Sequence, residues 1–148
     1  MTGAAQGVAV AAAVVNLVVA AWGGILWYRV AAQGRAIWRG VRASQAASVV
    51  HALAVGGLYI GGLDPADDLY VLYVGLPIAV SFVAEQLRAL SAQTVLDARG
   101  LEDAAAVGKL DAAAQQSVVT AILRRELGVM AAACAVATFL LLRAADTV

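Results

Sequence analysis

Residues Gly7 to Tyr28 read GVAVAAAVVNLVVAAWGGILWY, an unbroken run of twenty-two residues with no charge. As an α-helix it rises roughly 33 Å at 1.5 Å per residue, enough to cross a hydrocarbon core of about 30 Å. Asn16 is its only strongly polar member. Trp22, Trp27 and Tyr28 thicken one end and Arg29 follows, the aromatic-then-cation ending found at headgroup level. No Lys or Arg precedes the run, and it is longer than the apolar region of a signal peptide, so it is expected to be retained as a membrane span.

Three more spans follow from the same reading. Ser44 to Leu63 forms the second, entered through Arg35, Arg39 and Arg42 at helical spacing and ended by Gly61-Gly62 and Asp64-Pro65. Leu69 to Leu87 forms the third, with Pro77 inside it. Leu127 to Leu142 forms the fourth, thin at sixteen residues and capped by Arg143. Between the last two, residues 89–126 mix charges with Leu, Val and Ile at helical spacing, broken at Gly100 and Gly108. This stretch is expected to extend the third helix, form a short amphipathic helix, and then start a long helix that enters the fourth span. The expected fold is an all-α membrane protein of one domain: four transmembrane helices in an up-down bundle, with a helical hairpin between the third and fourth.

Composition agrees with this partition. Of 148 residues, 63% are hydrophobic and 14% charged, and the mean hydropathy is +0.85, whereas soluble domains hold about 25% charged residues. Every basic residue except Arg143 falls in the first or the third connection. The positive-inside rule therefore places those connections in the cytoplasm and both termini outside, in a plasma (inner) membrane. The formal net charge is zero, so no global field points to nucleic acid. Abundant Ala with a single Lys points to a GC-rich bacterial or archaeal source. One cysteine, Cys134, excludes an intrachain disulfide framework.

His51 is the only histidine and lies nine residues past Arg42, roughly 13 Å into the bilayer. Ionisable groups at that depth are costly and are often functional. Three uses are open to it: a neutral hydrogen bond to a neighbouring helix, proton or substrate handling, or ligation of a haem or pigment, which would need a second ligand from elsewhere. Counting inward from Arg29, Arg42, Arg88 and Glu126 puts Trp22, His51, Ser81 and Cys134 in one layer. That makes Ser81 the expected partner of His51 and places Asn16 about a turn and a half further out. Asn16 is expected to fix helix register through its amide. Gly57 and Gly61, and Gly128 with Ala132, have the small-xxx-small spacing that lets helices approach, within the bundle or against a partner. Glu85 and Arg88 are expected to pair, and Arg35, Arg39, Arg42, Arg124 and Arg125 to meet lipid headgroups.

No phosphate-binding glycine loop, metal-ligand spacing, nucleophile elbow or Cys-x-x-Cys is present. The expected function is accordingly not enzymatic. The leading expectation is a non-catalytic subunit that packs on other integral membrane subunits, or on itself, and offers residues 89–126 as a docking loop. The alternatives are a small homo-oligomeric channel, transporter or holin-like pore, and an electron-transfer subunit holding haem or pigment on His51.

Overall fold

Alanine carries the highest helix propensity and is the most abundant residue of this chain. The computed structural model describes residues 1–148 and contains six helices and no strand. They are α1 (Thr2–Tyr28), α2 (Arg35–Ile60), α3 (Tyr70–Ala89), α4 (Ser91–Ala98), α5 (Ala104–Gly108) and α6 (Ala112–Thr147). Four of them, α1, α2, α3 and α6, are long and apolar enough to cross a membrane. Specific residues stop and start them. Gly62 (φ +93°) and Gly100 (φ +66°) supply the left-handed backbone that follows α2 and α4. Asp103 and Asp111 cap α5 and α6, each carboxylate accepting a backbone N–H at 2.8 Å. Val30 turns the chain after α1 at φ +51°, a conformation strained for a β-branched residue.

Two boundaries differ from the sequence reading. The second helix stops at Ile60, and Leu63 folds back as a buried loop residue. As expected, the sixteen apolar residues of the fourth span lie inside one long helix, of 36 residues, which Gly128 does not break. Arg124, Arg125 and Arg143 are carried on that same rod. The expected extension of the third helix is a separate element, α4, parted from α3 at Leu90.

The four long helices form a bundle in which α6 packs along both α1 and α3, and α2 closes against α1. Small residues bring its helices together. Ala5, Ala9, Ala12 and Ala13 are the buried positions of the first half of α1. A Cβ on Gly23 would lie 3.1 Å from the Ala131 methyl, and one on Gly40 would lie 3.4 Å from Val19. Backbones approach closely there, as packing in lipid requires. Three apolar clusters stack along the bundle: Val19, Ile37, Leu127 and Met130 at one end, Ala12, Ala13 and Leu141 in the middle, and Val55, Leu63, Tyr70 and Val74 at the other. We call these ends the arginine-rich end and the Asp64 end. Large apolar side chains also face outward: Leu17, Val18, Leu53, Phe82 and Phe139 are all exposed, while Tyr70, Ile37, Leu127, Met130 and Leu141 are buried. So apolar an exterior departs from that of a water-soluble bundle, whose outer face is polar.

Candidate functional site

Helix α2 buries one stripe, Ile37, Val41, Ser44, Ser48, His51 and Val55, spaced by four, three, four, three and four. Three of those six are polar, and the facing helices supply partners for two of them, Ser44 and Ser48. The Asn16 amide on α1 donates to the carbonyl of Ala12 at 3.0 Å, to that of Ser44 at 3.3 Å and to Ser48 Oγ at 3.4 Å. On α6, Cys134 Sγ lies 3.3 Å from Ser44 Oγ. One turn on, Thr138 Oγ1 donates to the Cys134 carbonyl at 2.8 Å. Asn16, Ser44, Ser48, Cys134 and Thr138 are all buried, so a polar seam runs through the bundle where α1, α2 and α6 meet.

His51 continues this seam toward the Asp64 end. Its side chain is 0% exposed, and neither ring nitrogen has a hydrogen-bond partner. This corrects the expectation that Ser81 would bond to it. Ser81 Oγ donates instead to the Pro77 carbonyl of its own helix at 2.8 Å. The layer count fails for a geometric reason. It took Arg42 as level with Arg29, but α2 begins seven residues earlier at Arg35, and Gly40 already packs on Val19 and Trp22. Asn16 therefore meets Ser44 and Ser48, one to two turns nearer the arginine-rich end than His51, and not beyond it. Trp22 turns partly outward. Cys134 pairs with Ser44 and not with His51, so no thiol–imidazole dyad forms.

The seam ends in an ion cluster at the arginine-rich end. Glu85 Oε1 accepts from Arg42 at 2.6 Å and from the Gln45 amide at 2.8 Å, and Glu85 Oε2 accepts from Arg88 at 2.9 Å. The Arg88 guanidinium lies 5.5 Å from the Trp38 ring centre and 4.0 Å from Glu126. Arg124 stacks over Trp27 at 5.1 Å, while Arg35, Arg39 and Arg125 are exposed or half-exposed at the same end. Sequence reasoning missed Ser44, Ser48 and Gln45. Their signal was available: Ser44, Ser48 and His51 share a face at helical spacing.

The small-residue positions divide. A Cβ on Gly57 would touch nothing, so no helix of this chain packs there, whereas Gly61 sits against Met1. Gly128 packs against Trp27, and Ala132 points outward between two grooves on either side of α6. One groove, about 560 Å³, runs between α1 and α6 past Ala20, Gly24 and Gly128. The other, about 580 Å³, runs between α3 and α6 and is lined only by apolar residues, among them Val83, Val129 and Val136. Set against protein-family models, curated proteins and solved structures, the chain matches none.

Proposed function

We propose that this protein is a non-catalytic integral subunit of a larger assembly in the plasma (inner) membrane. In this reading α1, α2, α3 and the apolar length of α6 cross the bilayer up-down-up-down, both termini lie outside, and α4, α5 and the first turns of α6 form a cytoplasmic docking platform. The pairing of Asn16 with Ser44 and Ser48, and of Ala5 with Ala144 in one cluster, supports neighbours that run in opposite directions. The basic connections support the orientation.

The observation that carries the subunit reading is the pair of grooves meeting along α6 at Val129 and Ala132. Both open sideways at the level of the apolar helix, where a transmembrane helix of another subunit or of a second copy would seat against small residues. Val119 and Leu123, exposed four residues apart on the same rod, extend the contact surface beyond the bilayer. Purification from the native membrane in mild detergent tests this: companion subunits should co-purify and be lost in Ala132→Leu, which fills both grooves without touching the interior. A lone, monomeric chain, or companions retained in Ala132→Leu, would refute it. An impermeant thiol reagent should label a cysteine added at either terminus in intact cells; labelling only after permeabilisation would overturn the orientation.

The second expectation, a small homo-oligomeric channel or transporter, draws less support: Asn16 and His51 are enclosed inside one copy of the bundle, 2% and 0% exposed, and would have to be uncovered to meet a lumen shared between copies. Flux in liposomes that is lost in Asn16→Leu would support it. Ligation of haem or pigment by His51 fits poorly. The ring is enclosed on every side, and neither groove beside α6 reaches it, so a macrocycle has no room beside Nε2.

A further inference from the structure

The cleft between α2 and α3 at the arginine-rich end is lined by four side chains only: Trp38, Arg39, Arg42 and Arg88, around a space of about 370 Å³. We infer that it is a binding site for the phosphate of one anionic phospholipid, held where the headgroup region meets the hydrocarbon. This site is separate from the α6 grooves and does not depend on what they bind.

Its depth follows from helix lengths. About 20 residues cross a hydrocarbon core. Counted from Ile60, twenty residues of α2 end at Val41, and α3 itself is 20 residues, from Tyr70 to Ala89. Arg42 and Arg88 thus stand at the inner edge of the hydrocarbon, with Trp38 and Arg39 one turn further out. Indole rings concentrate at that level.

The three guanidinium groups are held differently. Glu85 takes Arg42 on one oxygen and Arg88 on the other, and Trp38 stacks against Arg88, so two of the three are fixed in place. Arg39 takes part in none of the ion pairs. Three cations face two carboxylates, Glu85 and the more distant Glu126, leaving one positive charge in surplus. A single phosphodiester would balance it through charge-assisted hydrogen bonds from Arg39 and from the free N–H groups of Arg42 and Arg88.

A lipid is favoured over a free anion by what lies below the cleft. Val49 is seven residues beyond Arg42 on α2, and Ile78 is seven before Glu85 on α3. Both are exposed and apolar, and they continue the same helix faces toward mid-membrane. An acyl chain would lie along them.

Native mass spectrometry of the protein, extracted from vesicles of equal phosphatidylglycerol and phosphatidylcholine, tests the assignment. The unsubstituted chain should retain one phosphatidylglycerol in preference to phosphatidylcholine. Arg39→Gln, which breaks no contact of the fold, should weaken retention about fivefold. Lys109→Gln, an equal loss of charge on the loop before α6, should leave it unchanged. Equal retention of both lipids, equal loss in Arg39→Gln and Lys109→Gln, or no loss in Arg39→Gln would overturn the site. Displacement of the lipid by millimolar inorganic phosphate would show a general anion site and overturn the lipid assignment.

Discussion

Replacing His51 by leucine should stabilise the bundle. The imidazole is wholly enclosed and both nitrogens lack partners. A buried polar group left without a hydrogen bond costs about 1–3 kcal/mol, and a neutral ring carries one donor and one acceptor. Two such groups set a gross penalty of about 2–6 kcal/mol. The gain on removing them is smaller, because a helix separated from the bundle inside a micelle also finds partners for its polar groups. Leucine is close to histidine in volume, and a shape mismatch of this kind costs under about 1.5 kcal/mol. The net expectation is a gain of about 2 kcal/mol, a rise in unfolding midpoint of roughly 4–8 °C for a chain of this size. Thermal melts in mild detergent, followed by helical circular dichroism, read it directly. His51→Ala serves as the comparison: it removes the same polar atoms but leaves a cavity, and should fall below His51→Leu by about 2 kcal/mol or more. A fall in the midpoint of His51→Leu by more than about 3 °C would mean that the imidazole is held by a hydrogen bond in the folded bundle, and would refute the reasoning.

The opposite sign is expected at Asn16, whose amide makes three hydrogen bonds, two of them to α2: Asn16→Leu should lower the midpoint by about 2–5 °C in the same melts, since bonds between membrane helices average about 0.6 kcal/mol each. Val30→Gly should raise it by about 2–4 °C, because glycine removes a left-handed strain of about 1 kcal/mol at the end of α1. At Gly128 a Cβ would lie 2.7 Å from Trp27 Nε1, so Gly128→Ala should displace the indole from Arg124, shift its fluorescence and cost about 1–3 kcal/mol. Glu85→Gln should separate Arg42 from Arg88 at a cost of about 1 kcal/mol, and that difference should shrink in 1 M salt, as screening of a partly exposed cluster demands.

The apolar lengths of the four long helices were readable because each is a local property: about twenty residues of oil in a row need no knowledge of neighbours. The breaks at Gly100 and Gly108 were readable for the same reason, as were the Glu85–Arg88 pair, three residues apart on one helix, and the concentration of basic residues in two connections. The polar seam was only half legible. Asn16, His51 and Cys134 stood out by residue type, but Ser44, Ser48 and Gln45 passed as ordinary small or edge residues, and Ser81 was given a partner it does not have.

Sequence by itself therefore determined that this chain is helical, which four helices are long and apolar enough to cross a membrane, and which ends carry charge, since hydropathy and helix rise depend only on residues adjacent along the chain. Tertiary structure alone decided which polar groups meet, that His51 meets none, and that α6 bears open grooves on both flanks. Those outcomes depend on the axial offset and rotation of one helix against another. A shift of a single turn re-pairs every side chain across an interface while leaving each helix's own composition unchanged, so no count along one helix can supply them.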